Sequence, residues 1–289
     1  MKKFSFIFVF LLIAPLFLFS QETQQDTTEQ KVKERPERPA FESSYIIDNP
    51  TDVTFIKNTL EVHMAHRFGV VNSGNNDLLG IWAPANIRIA LSYAPHERVT
   101  LGFGTSKFNR LQDFNWKVAL LRQTRSDKIP VNVSYYGNFV IDARGKENFL
   151  VEQHRYSYFN QLIISRRFNP NLSLQGAVSV SHYNLVPQRM RNDVVAMSLG
   201  GRYKISSQTS ILVDYTQPFI HHLDGAELDM DPEAGFSVGV EFRTSSHAFQ
   251  LFLSNYQGIV PQQNIVFNQN NFFEGDFLIG FNITRLYNF

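Results

Sequence analysis

From residue 59 to the end of the chain, apolar and polar side chains change places at every second position. The last stretch shows it best. Phe277, Ile279, Phe281, Ile283, Arg285, Tyr287 and Phe289 form one set, bulky and mostly apolar. Leu278, Gly280, Asn282, Thr284, Leu286 and Asn288 form the other, small or polar over its middle. A period of two predicts a strand with one greasy face. The run is long for a globular strand and suits a tilted bilayer crossing, which takes about 9–11 residues. A first strand sets Leu60, Val62, Met64, Phe68 and Val70 opposite Glu61, His63, Ala65, Arg67 and Gly69. Further alternating runs lie at 87–93, 99–103, 116–120, 131–135, 158–165, 172–180, 195–204, 211–216, 236–243 and 249–254. The pattern predicts an all-β fold of about twelve strands, an even number as in single-chain bacterial barrels. A lipid-facing strand cannot leave an edge unpaired in hydrocarbon. The expected architecture over residues 59–289 is therefore a transmembrane up-and-down antiparallel β-barrel.

The connections alternate in length. Short ones at 94–98, 123–130, 169–171, 206–209 and 244–247 take turns with longer ones at 72–85, 107–114, 142–155, 184–192, 218–233 and 257–276. Short periplasmic turns and longer outer loops predict that alternation and place both termini in the periplasm. Each proline after residue 59 falls in a connection or at a strand end, where a missing N–H does no harm. Aromatic residues fall into two girdles. Tyr93, Phe168, Tyr203, Phe242, Phe249, Tyr287 and Phe289 lie toward the periplasmic ends. Phe68, Trp116, Tyr158, Tyr183, Tyr215, Phe236 and Phe277 lie toward the outer ends.

Ahead of the barrel the chain changes character. Lys2 and Lys3 precede an uncharged apolar run, so residues 1–20 read as a signal peptide cleaved near Ser20. Residues 21–44, rich in Glu, Gln, Thr, Lys, Arg and Pro, read as a disordered periplasmic linker. Residues 45–58 read as a lead-in strand or a plug. Removing Lys2 and Lys3 from the 27 basic residues sets 25 against 26 acidic ones, a net charge of −1. No basic patch dominates, so no nucleic-acid partner is expected. The absence of cysteine excludes disulfides, thiolate metal sites and a cysteine-linked lipid anchor.

The runs L-E-V-H-M-A-H-R-F-G-V-V at Leu60–Val71, A-N-I-R at Ala85–Arg88, L-G-F-G-T-S-K-F at Leu101–Phe108 and L-L-R-Q at Leu120–Gln123 carry a resemblance. They resemble an outer-membrane β-barrel family of unknown function from Gram-negative bacteria of the Bacteroidota type. H-R-F-G is the most specific element. The resemblance covers the chain from about residue 45 onward. It implies the fold and an integral outer-membrane location, with outer-membrane lipid as surroundings, and implies nothing about mechanism. The terminal phenylalanine also resembles the closing strand of bacterial outer-membrane barrels. That likeness makes Phe281, Ile283, Tyr287 and Phe289 the expected signal to the barrel-assembly machinery.

About twelve strands lie between a barrel filled by side chains and one with a water channel. Arg67, Arg88 and Lys117 point inward, with Glu61 and His63 beside them, and Gly102 and Gly104 leave space between Arg88 and Lys117. The first reading is a narrow channel whose basic wall draws small anionic or polar solutes. The second is a plugged structural or docking barrel without transport, its cations paired with lumen acids and loop carboxylates, that displays loops or anchors a periplasmic partner through residues 21–44. A lipid-processing enzyme is a third reading. His63, His182, Ser179 and Ser181 lie on strands, but no nucleophile elbow occurs, so catalysis is not expected. His66 shares the lipid face unless a bulge beside Ala65 turns it inward. The loop His221–Glu233 holds two histidines and several acids without calcium-loop spacing, and reads as a solvated surface loop. No metal and no cofactor are expected. Arg166 and Arg285 fall on the lipid face near strand ends, where long side chains reach the head groups.

Overall fold

A computed structural model describes residues 34–73, 75–220 and 230–289, in which twelve strands close into one antiparallel barrel. In chain order they are β1 Thr59–Val70, β2 Asn86–His96, β3 Val99–Ser106, β4 Leu111–Leu121, β5 Asn132–Asp142 and β6 Tyr156–Arg167. Then follow β7 Leu172–Tyr183, β8 Asp193–Lys204, β9 Thr209–Phe219, β10 Gly235–Arg243, β11 His247–Ser254 and β12 Leu278–Asn288. Each strand pairs with its sequence neighbours, and β12 closes on β1, with Phe281 opposite His66 and Ile283 opposite Met64. The alternation sorts side chains as the pattern requires. On β8, Ala196 and Ser198 are buried inside while Met197 and Leu199 are 53% and 64% exposed outside. An apolar outer face and a polar inner one are the solution for a strand between lipid and lumen.

Four features depart from the sequence reading. The expected long connection 107–114 shrinks to 107–110, because β4 already begins at Leu111. Asn109 and Arg110 adopt φ of +57° and +49° and turn the chain tightly. Leu111 and Asp113 belong inside, where Leu111 packs with Val140 and Val260 and Asp113 meets Arg88. The strict alternation of loop lengths breaks there. Trp116 then sits at mid-strand, away from the outer girdle, over Gly137. A Cβ on Gly137 would lie 2.3 Å from the indole ring. Tyr183 likewise leaves the girdle and turns in, edge-on to Phe267 at 4.8 Å.

The lead-in resolves as a plug. Tyr45–Ile46 and Asn49–Pro50 form a minimal hairpin inside the barrel, and Ile46, Ile47, Val53 and Phe55 are buried there. The boundary expected at Ser44 also moves. Residues 36 and 37 already bond to the β4–β5 connection, and Ala40 and Phe41 are buried with the plug. At the other end, the connection 255–277 folds inward. It forms α1, Pro261–Phe267, whose Ile265 and Val266 pack on Tyr136, Phe159, Ile163, Val194 and Ala196 of the wall. The barrel core is thus the filled lumen.

Candidate functional site

A hairpin lying free inside a tube has no sheet to satisfy its backbone, so the wall must supply the partners. It does so with side chains. Lys117 Nζ donates to the carbonyls of Ser44 (3.3 Å) and Val53 (3.1 Å). Gln250 donates to the Tyr45 carbonyl (2.9 Å), Asn282 to that of Ile47 (2.8 Å) and Gln175 to that of Pro50 (2.8 Å). Ile47 sits at φ +52°, a left-handed conformation that costs a β-branched residue about 1–2 kcal/mol. Its carbonyl also accepts from Arg67 at 3.4 Å, so the wall holds the strained turn from two sides.

The charges follow the same plan. Arg67 reaches Asp48 of the hairpin at 2.9 Å and lies over the Phe252 ring at 4.5 Å. Asp48 accepts further from Ser237 (2.7 Å) and Ser254 (2.8 Å). Asp214 accepts from the N–H of Asp48 (3.1 Å) and of Asn49 (3.0 Å), and from the Asn49 amide (2.8 Å). Glu42 bridges Arg202 (3.2 Å) and Arg243 (2.6 Å), and Arg202 also holds Glu241 (3.1 Å). Ser44 donates to Glu61 at 2.6 Å. His63 stacks on Tyr45 at 5.0 Å, and the Tyr45 hydroxyl meets that of Tyr136 at 3.0 Å.

All five expected lumen residues, Glu61, His63, Arg67, Arg88 and Lys117, are therefore inward, buried and gathered around the plug. The space beside them is not free. Arg88 grips Asp113 through two contacts of 2.8 and 2.6 Å, directly over β3. A Cβ at Gly104 would lie 2.4 Å from the Asp113 carboxylate, and one at Gly102 2.4 Å from Asn115. The glycines make room for this ion pair and its neighbour, and the expected cleared surface is filled. The sequence reading missed Asp113, having assigned it to a loop, and Asp48, having left the hairpin's position open. The inward parity that Asp113 shares with Lys117 was the available signal.

The remaining candidates do not converge. His182 bonds Asp193 (2.8 Å) and Asn184 (2.9 Å) on the outer face of β7, whereas Ser179 and Ser181 face the lumen. His66 stays on the lipid face, stacked parallel to Phe281 at 4.9 Å. The β1–β12 register runs unbroken past Ala65, and its irregularity lies between Leu278 and Gly280 instead. Phe281, Ile283, Tyr287 and Phe289 line the outer face of β12, and Phe289 is 81% exposed. Arg166 bonds Asp127 at 2.8 Å and Arg285 covers the Tyr287 ring at 4.7 Å. Residues 221–229 of the acidic loop lie outside the described residues. Among the described residues no cluster of three or more His, Asp or Glu could hold a metal ion.

Comparison with known proteins bears on the fold. A family model described as a membrane bound beta barrel domain (DUF5777) matches residues 41–287. The COG4313 outer membrane channel from Pseudomonas putida F1 aligns with a TM-score of 0.52 at 11% identity, over 81% of this chain and 97% of that one. The KdgM porin aligns with a TM-score of 0.44 at 7% identity, over 80% of this chain and 99% of that one. LpxR from Salmonella typhimurium gives 0.38 at 12% identity, over 80% and 100%. Comparison with curated protein sequences yields no match. At these identities the structural likeness is one of fold alone.

Proposed function

The chain belongs to the DUF5777 family of membrane-bound β-barrel domains, and we propose that it is an outer-membrane barrel closed in its ground state, serving to dock a periplasmic partner. The observation that carries this reading is the occupied lumen. Arg67 and Arg88 already hold carboxylates, and Lys117 already holds two carbonyls. Separating a buried ion pair costs about 3–5 kcal/mol, which a passing anion would have to offset at each site. The short-turn end and both termini face the periplasm in this reading. The plug enters from that end, so residue 34, where the described chain begins, lies on the periplasmic side in this reading. No catalytic role is assigned, because His182 stands on the outer face away from Ser179 and Ser181, and the inward His63 is engaged by Tyr45 and Arg88 instead of a serine.

Purified protein in a planar bilayer tests the proposal. The expected record is silent, with no steady conductance at either polarity. A stable open level in the wild-type protein, shifting from anion toward cation preference in the Arg67→Glu, Arg88→Glu double variant, would overturn it in favour of a narrow anion-preferring channel.

A further inference from the structure

A cleft of about 210 Å³ opens between the plug and the ends of β4 and β5, at the end of the barrel where β1 begins and β12 finishes. Pro39, Val53, Phe55, Ala119 and Leu121 give it apolar walls. Asp52 also lines it. This residue is only 7% exposed; Ser165 and the Lys117 charge act on its carboxyl, while its Oδ1 has no hydrogen-bond partner. Lys117, the neighbouring cation, directs its bonds to the Ser44 and Val53 carbonyls instead. The backbone beneath the carboxylate is fixed, since Ser134 donates to the Asp52 carbonyl (3.2 Å) and Thr54 to that of Glu97 (2.9 Å). At the rim stand Glu37 and the exposed Glu97, with Arg122 held to Glu97 at 3.5 Å.

A buried carboxylate oxygen without a partner is costly, and a charged donor is the group that offsets it. Here the carboxylate belongs to a short apolar shaft whose two rim acids are shared with arginines, Glu37 with Arg167 (3.6 Å) and Glu97 with Arg122 (3.5 Å). A cation on an alkyl stem matches each part of that arrangement: methylenes against the walls, charge on the carboxylate. The volume is below the roughly 300 Å³ at which small-molecule pockets begin, and suits a single long side chain. We infer that this cleft receives a lysine or arginine side chain from a periplasmic peptide, with Asp52 and Glu97 as its counter-charges. The inference rests on the docking reading above for its partner and its side of the membrane.

The test uses the full-length protein in lipid nanodiscs and a fluorescent, end-capped Gly-Gly-Lys-Gly-Gly peptide, with norleucine replacing lysine in a control. Anisotropy should show saturable, salt-sensitive binding of the lysine peptide and none of the control. Asp52→Asn should weaken binding at least about tenfold, the scale of losing a charged partner in a desolvated site. Glu97→Gln changes only an exposed rim group, leaves folding intact and should weaken binding several-fold. Heat-modifiable migration verifies that each variant is folded. Equal binding of the norleucine peptide, no saturable binding of the lysine peptide, or full affinity in both variants would overturn the site. A wild-type barrel that conducts yet binds the lysine peptide breaks the closed-lumen reading alone. A silent barrel that ignores the peptide breaks this inference alone.

Discussion

Arg88 on β2 and Asp113 on β4 meet across the intervening strand, over Gly104 of β3. Both are almost fully buried, so each depends on the other for its charge. Asp113→Ala should destabilise the barrel by about 3–5 kcal/mol, since it strands a guanidinium inside. Arg88→Met combined with Asp113→Leu should cost much less, because no charge is left alone. Gly104→Val should resemble the single loss, since a Cβ there would force the pair apart. Urea midpoints of the heat-modifiable band in detergent measure all three. A single-variant loss below about 1 kcal/mol would mean the pair is solvated and worth no more than a surface one.

At the scale of elements, the two segments filling the lumen are held by different chemistry. The hairpin is fixed by ion pairs and side-chain-to-backbone bonds, and α1 by apolar packing on β5, β6 and β8. The chain has no cysteine, so single-cysteine reporters are clean. Asp48→Ala should raise the thiol reactivity of Ile46→Cys at least about tenfold, because the buried anchor is lost. Ile265→Asp should instead expose Val194→Cys and leave Ile46→Cys protected. Coupled exposure of both reporters in either variant would show that hairpin and helix form one unit. The closing strand permits a similar separation. Phe289 is largely exposed and its N–H donates to the Asn58 carbonyl at 3.1 Å. Deleting it removes little packing, so refolding in detergent should change little while assembly in cells falls sharply. An equal drop in both would assign Phe289 to stability and not to recognition by the assembly machinery.

For the whole molecule, the loop lengths set which end faces outward in the proposed orientation. An epitope inserted in 218–233 should be reached by antibody on intact cells, and one in 206–209 only after permeabilisation. The reverse pattern would invert the barrel and move the Asp52 cleft to the cell surface. In the closed-lumen reading proposed above, a wall of cations does not by itself make an anion path. Field focusing needs charges that face water. Here Arg67 and Arg88 each face a carboxylate and Lys117 faces two carbonyls.

The strand count, the inward and outward faces and the closure of the last strand on the first were all legible in the sequence. Each follows from a period of two repeated along the chain, together with the impossibility of an open edge in lipid. The inward direction of Arg67, Arg88, Lys117, Glu61 and His63 was legible for the same reason. Their partners were not. Asp48 is nineteen positions from Arg67 and Asp113 twenty-five from Arg88, and neither spacing has a local period. The inward fold of 255–277 was equally hidden, since a short helix with Ile265 and Val266 is indistinguishable in sequence from a surface loop until a complementary apolar wall is in place. The sequence by itself therefore determined the barrel, because local alternation and the solvent on each side suffice for it. Only the tertiary structure decided that the barrel is full, because filling a lumen depends on which distant groups satisfy one another's charges and backbone bonds.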